Sequence, residues 1–218
     1  MSFNTVGLKA RSILSARLAL AASLTFLLAA CGDSGAGSGG SGGEAGMGGE
    51  AGGGAGGTAP GAERRMFVTS TSQDGDFGGI EGADALCSAL GAQAELEGEF
   101  KAWLSTLSSS VAERLAPPED ARYVLVDGTT VATSWEDLLD GSVAVPIDLD
   151  ENGTRRTGDV WTGTLSTGEA YSIDDCDGFT SGTEGRGLCG TTSSAASFWT
   201  ENSNPTCSTQ LRLYCIEQ

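Results

Sequence analysis

The hydropathy pattern falls into three stretches. Residues 18–30 are apolar apart from Ser23 and Thr25, and Lys9, Arg11 and Arg17 precede them. A basic lead followed by so short an apolar core is the layout of a secretory signal, not of a membrane-spanning helix. Residues 32–61 show no apolar periodicity and nothing able to bury a core, so they read as a flexible tether. From residue 62 onward, runs typical of folded protein begin. Residues 66–69 (MFVT) are strand-like, 71–79 are polar and glycine-rich, and a helix is expected from about Glu81. Phe100, Trp103, Leu104, Leu107, Val111 and Leu115 recur at intervals of three and four, predicting one amphipathic helix that Pro117 and Pro118 terminate. Residues 123–126 form a β-rich run. Ser134 stands three residues before Asp137 and ahead of Leu138 and Leu139, which predicts a capped short helix closed by Gly141. Beyond it Val160, Trp161, Tyr171, Phe198, Trp199 and the run 211–216 sit in short segments separated by Gly, Asp and Ser, and small strands joined by long loops are expected. The order of elements is α+β.

Composition sharpens this division. Of the 34 glycines, 16 fall among the 30 residues from Gly32 to Gly61. A Gly-rich coil of that length spans about 30 Å root-mean-square. Gly35, Gly37 and Gly40 match a dinucleotide-binding spacing, but no strand precedes them and no helix follows. The apolar run ends in Leu28, Ala29, Ala30 and Cys31, which resembles the lipobox of bacterial lipoproteins. That resemblance implies cleavage before Cys31, a diacylglycerol on its thiol, and a mature protein held on a bilayer of the bacterial cell envelope, periplasmic or at the cell surface. The segmentation is therefore a lipoprotein signal over 1–30, a lipidated cysteine and tether over 31–61, and one domain over 62–218.

The formal charge is −17, with 12 Lys+Arg against 29 Asp+Glu. Three of the basic residues lie in the signal and three of the acidic ones (Asp33, Glu44, Glu50) in the tether, so the domain alone carries the whole excess. Such a surface repels nucleic-acid phosphates, and no nucleic-acid partner is expected. The chain has no histidine, which excludes Ser-His-Asp and Cys-His nucleophiles and imidazole metal ligands. A glycosidase built on two carboxylates survives that exclusion, with nothing to single out a pair.

The domain holds Cys87, Cys176, Cys189, Cys207 and Cys215, and in an exported protein bridges are the default for cysteines. Five thiols leave one over. The segments FKAWLS (100–105), YVLVDGTTVATSWEDLLDG (123–141) and CSTQLRLYCIE (207–217) resemble the endostatin branch of the C-type lectin-like fold. FVTSTSQDGDFGGIEGADALC (67–87), VWTGT (160–164) and LYCIEQ (213–218) are similar to a bacterial lipoprotein domain family of unknown function near that branch. The resemblance implies a single domain with long loops and nested bridges, Cys87 with Cys215 and Cys176 with Cys207. Cys189 is then a free thiol, an alternative partner or an intermolecular link. Endostatin's histidine zinc site and arginine heparin patches do not carry over to an acidic chain without histidine.

Two acidic clusters invite a metal. Asp148, Asp150, Asn152 and Gly153, with Asp159 at the twelfth place, match half of an EF-hand loop, but Arg155, Pro146 and a twelfth Asp in place of Glu favour a plain turn. Asp174, Asp175 and Asp177 read as turn-bracing carboxylates. Trp199, Thr200, Glu201 and Asn202 are the nearest text to a lectin calcium triplet, without its companion. Trp161, Trp199 and Tyr171 are expected in the core, with a sugar platform or a protein-contact patch as the alternatives. The sequence thus leads to a non-enzymatic, lipid-anchored binding or adhesion module for an unknown protein or glycan ligand, with no catalytic residue, metal or cofactor. A calcium-dependent lectin and a carboxylate glycosidase are the alternatives.

Overall fold

The computed structural model describes residues 61–218 apart from Ala116 and Glu119. The signal segment, Cys31 and the tether up to residue 60 lie outside the described residues.

Alternation of side chains builds the centre of the domain. Strand β1 (Glu63–Val68) lies between β7 (Arg212–Glu217), antiparallel to it, and β3 (Arg122–Leu125), parallel to it. Beyond β3 comes β4 (Thr130–Ala132), and on the far side of β7 come β5 (Asp159–Trp161) and β6 (Cys189–Thr191). Strand β2 (Phe100–Ala102) pairs with the second half of β7, while β5 pairs with the first half. The result is a curled seven-stranded mixed sheet in an α+β domain with two disulfides.

Because strand side chains alternate across the sheet, β1 and β7 feed two cores. Met66, Val68, Tyr214 and Ile216 enter one, with Trp103, Tyr123, Leu138, Ile147 and Trp199. Phe67, Leu213 and Cys215 enter the other, against helix α1 (Gly79–Gln93), Phe100, Trp161 and Phe179. Helix α1 begins at Gly79, two residues ahead of the expected Glu81, and Gly79 and the preceding Gly78 both have positive φ.

The helix expected over residues 100–115 does not form. Phe100 and Ala102 instead alternate in β2, a loop follows, and only Val111–Arg114 is helical (α2). Ser105, Thr106, Ser108, Ser109 and Ser110 crowd the middle of that stretch, and hydroxyl side chains compete with the helical backbone for hydrogen bonds. The Ser105 hydroxyl accepts the Val111 N–H at 2.8 Å, and Thr106 and Ser109 pair backbone to backbone. The apolar periodicity is real but divided. Phe100 and Leu104 enter the α1 side, Trp103, Val111 and Leu115 the other, and Leu107 is exposed.

Helix α3 (Trp135–Leu138) starts at Ser134, whose hydroxyl accepts the Asp137 N–H at 3.1 Å. The reciprocal half of the box shifts by one residue: Asp137 accepts the Thr133 N–H and hydroxyl rather than the Ser134 N–H. Residues 160–161 and 212–217 are strands as expected. Phe198 and Trp199 lie instead in a 3-10 turn (Ser197–Trp199), and Tyr171 lies in a loop, since the segment between β5 and β6 folds through turns and isolated bridges.

Cys87 on α1 is bonded to Cys215 on β7, Cα atoms 5.5 Å apart, and Cys176 to Cys207, at 5.6 Å. These are the pairings the resemblance implies. Cys189 is a buried free thiol 3.0 Å from the Ser203 hydroxyl, and burial pushes its pKa up.

Candidate binding face

The part of the surface with the most structure invested in it is an irregular segment. Cys176, Asp177, Gly178 and Phe179 all have positive φ, between 54° and 66°, so they form one left-handed turn in which only one residue is glycine. Each L-residue so placed costs about 1–2 kcal/mol. Compensation comes from several sides. Cys176 is fixed by its bridge to Cys207, and the Phe179 ring is fully buried against Trp161 and Phe77, at 6.0 and 6.2 Å. The Phe77 N–H donates to the Phe179 carbonyl at 3.0 Å. Asp175 Oδ1 accepts the Gly178 N–H at 2.9 Å.

Asp175 has a second engagement. Its Oδ2 accepts the Leu107 N–H at 2.8 Å, so one buried carboxylate fastens the left-handed turn to the tip of the loop after β2. That tip carries Leu107 with 56% of its surface exposed, above a buried Thr106.

A depression lies on each side of this tip, and Ser108 and Ser109 line both. The larger, about 600 Å³, runs between the start of α1, Lys101 and the left-handed turn. An ion pair forms its floor: Arg114 Nη2 donates to both oxygens of Asp84, at 2.7 and 2.8 Å. Asp84 Oδ1 also accepts the Ala102 N–H at 2.9 Å, and Arg114 Nη1 donates to the Leu104 carbonyl at 2.8 Å. Helices α1 and α2 and strand β2 are locked together there. Lys101, by contrast, forms no ion pair among the described residues.

The smaller depression, about 420 Å³, is lined by Leu107, Ser110, Ala112, Glu113, Glu169 and Ala170 with the two shared serines, and no basic residue borders it. Ser110 and Glu113 form a complete capping box. The Glu113 N–H donates to Ser110 Oγ at 3.2 Å and the Ser110 N–H to Glu113 Oε2 at 3.1 Å. The Ser110 amide and hydroxyl hold the Glu113 carboxyl below its ordinary pKa.

The residues singled out from sequence take other places. Asp150 is fully buried. It accepts the N–H groups of Asn152 and Thr154, both at 2.9 Å, and the Arg156 Nε at 2.7 Å. Asp148 pairs with Arg155, and Asp159 sits in β5, so this stretch is a braced turn. Among the described residues no group of three or more Asp, Glu or Cys is placed to hold a metal ion. Asp174 accepts the Asn204 amide at 3.3 Å, while Asp177 faces the larger depression. Thr200, buried, accepts the Trp103 indole N–H at 2.9 Å, and Glu201 accepts the Ser166 N–H at 2.9 Å. Trp161 and Trp199 are fully buried, which removes them as a sugar platform, and Tyr171 is half-buried.

Sequence reasoning missed Leu107 as a surface residue, and also Asp84, Lys101 and Arg114. The Ser110-x-x-Glu113 spacing was available to mark a helix start at Val111, and with it the loop that exposes Leu107. No protein-family model matches the chain, and comparison with curated proteins finds no match in sequence.

Proposed function

We propose that the chain is a non-enzymatic binding module of C-type lectin-like architecture, in its endostatin branch, tethered through a lipidated Cys31 to a bacterial envelope membrane. The fold reading is supported by the antiparallel pairing of first and last strands, the bridge from the first helix to the last strand, and the bridge inside the loop region. One observation carries the functional reading. The Asp175 carboxylate joins the left-handed turn, whose backbone is costly, to the exposed tip of the loop after β2, and two depressions meet at that junction. Preorganised loops on a rigid scaffold are where recognition resides.

Strand β1 starts beside the end of β7, where Arg64 donates to the Gln218 carbonyl. Helix α1, 15 residues and so about 22 Å long, ends near the same edge, where Arg65 reaches the Glu97 carbonyl. The start of α1, and with it the larger depression, lies at the opposite end of the domain. No described helix is long and apolar enough to cross a membrane.

The test is retention on a glycan array and on immobilised envelope proteins, with Ser108→Trp as the control because Ser108 borders both depressions. Retention lost in the variant at unchanged melting temperature supports the reading. Equal retention by the variant rejects this face as the site.

A further inference from the structure

The two bridges have unlike surroundings. Cys87 lies within helix α1 and Cys215 within β7, between buried Tyr214 and Ile216 and in register with Phe67 of β1 and Ala102 of β2. With that bridge cut, the packing of helix on sheet still holds the two sulfurs side by side. Cys176 and Cys207 sit in irregular chain instead. One backbone hydrogen bond fastens each amide, from Cys176 to the Arg186 carbonyl at 3.0 Å and from Cys207 to the Gly185 carbonyl at 3.2 Å. Both cysteines are buried, but their neighbours Asp177, Thr206 and Ser208 are exposed, and so is the loop 183–186. A Cβ on Gly185 in that loop would lie 3.6 Å from Cys207 Sγ. Cys176 itself has φ 54° and Asp177 φ 57°, a backbone that costs free energy at every L-residue. Opening this bridge lets both residues relax, whereas Cys87 and Cys215 have no such conformation to give up.

We infer that the Cys176–Cys207 bridge is a redox switch for the binding face, opened by a dithiol reductant while Cys87–Cys215 stays closed. A thiolate of the reductant attacks one sulfur and forms a mixed disulfide, and the other cysteine leaves as a thiolate that takes up a proton. The second thiol of the reductant then displaces the first cysteine. The reductant ends as an internal disulfide, and the protein has gained two electrons and two protons as two thiols. Freed from Cys207, the turn loses the geometry in which Asp175 grips both the Gly178 and the Leu107 N–H. Asp177, Gly178 and Thr180 line the larger depression, so its wall goes with the turn. The regulation rests on the binding-face reading; the opening of the bridge does not.

The experiment equilibrates the full chain, in mild detergent, with buffers of reduced and oxidised dithiothreitol. Thiols are trapped by alkylation and located by peptide mass spectrometry. Cys176 and Cys207 should be labelled at a ratio of reduced to oxidised reagent about tenfold lower than Cys87 and Cys215 require. Labelling of all four together, or of Cys87 and Cys215 first, overturns the inference. Amide exchange at Leu107 and Gly178 should rise about tenfold in the selectively reduced protein, with β1 and β7 still protected. The Cys176→Ala, Cys207→Ala double variant reaches the same state by a second route, and unchanged exchange at Leu107 in both overturns the inference. Asp177→Gly relieves one left-handed residue at an exposed position and should raise the ratio needed about fivefold. No shift in that variant would mean that backbone strain does not favour opening, and overturns it too. If a ligand is lost in Ser108→Trp but held equally by oxidised and selectively reduced protein, the switch falls and the binding face stands. If the bridge opens first and the turn loosens but no ligand is found, the binding face falls and the redox opening stands.

Discussion

The two faces of the sheet are held in different ways. On one, Trp103 stacks on Trp199 with ring centres 4.9 Å apart, Trp199 on Tyr214 at 5.8 Å, and Trp135 bridges Trp103 and Tyr123. That core contains no cysteine. The other contains all five described cysteines and both bridges. The difference follows from what each face supports. The aromatic face covers itself with large side chains that each remove much area from water. The α1 face supports the left-handed turn and polar loops such as TSGTEGRG (180–187), which bury little. There the two covalent staples add to a core of Phe67, Phe100, Trp161 and Phe179.

The strongest way to break this contrast is to cut the longer staple. Cys87 and Cys215 are separated by 128 residues, and on the chain-entropy model their bridge contributes about 5 kcal/mol. Replacing both by Ala should lower the urea-unfolding free energy by about that amount. A loss of under about 1 kcal/mol would mean that the α1 face stands without it.

On the aromatic face the expected effects are somewhat smaller and depend on the indole N–H. Trp199→Ala should cost about 4 kcal/mol through the cavity it leaves. Trp199→Phe should cost much less, because the Trp199 Nε1 is buried without a partner and its desolvation is uncompensated. Trp103 Nε1, in contrast, donates to the Thr200 hydroxyl. Trp103→Phe should therefore exceed Trp199→Phe by about 1 kcal/mol, measured side by side in urea. Equal costs would show that packing alone sets stability on this face.

How much of this could be read beforehand depended on whether pattern and position coincide. Met66 and Val68 alternate with Phe67, and Tyr214 and Ile216 with Cys215, so β1 and β7 were recognisable as strands. The sheet then sends each set to its own core. The 100–115 stripe misled for a physical reason: apolar residues at helical spacing were divided between two cores by a chain that crosses the sheet. Leu107, the residue left over, stands exposed at the tip of the loop after β2. The left-handed turn had no local signal beyond Gly178, because tertiary restraints (a bridge, a buried ring and Asp175) hold Cys176, Asp177 and Phe179 where propensity opposes them. Of the Asp174, Asp175 and Asp177 cluster expected to brace turns, Asp175 does so, while Asp174 meets the Asn204 side chain and Asp177 faces the larger depression, and which loop Asp175 reached could come only from the fold.

That brace gives the next effect in size. Asp175→Asn keeps the shape of the side chain but exchanges a charged acceptor for a neutral amide, at an expected cost of about 1–2 kcal/mol. The change should appear as faster amide exchange at Leu107 and Gly178 with little change in the aromatic core. Uniform acceleration across both faces would mean that the loops and the sheet unfold as one unit.

The smallest effect concerns the aromatic face, which has an ionic clasp where the other has sulfur. Val68 donates to the Leu149 carbonyl, and the turn that follows is closed by buried Asp150 and Arg156. Burial pushes the Asp150 carboxyl upward, but hydrogen bonds from Thr154, Arg156 and Asn152 outweigh it and the pKa lies below the ordinary value. With the folded value depressed, the clasp contributes fully above the unfolded pKa of about 3.9 and is lost as pH falls through the lower, folded value. Acid should therefore loosen 148–156, at a global cost of about 1 kcal/mol, and by the same sign weaken the Arg65–Glu217 pair at the end of β7, whose carboxyl is also held below its ordinary value. Hydrogen exchange compared at pH 5 and pH 3, corrected for intrinsic rates, checks this. Asp150→Asn should abolish the pH sensitivity of that turn while leaving exchange in the Cys87–Cys215 region as it is in the wild type, because Asp150 makes its hydrogen bonds within 148–156.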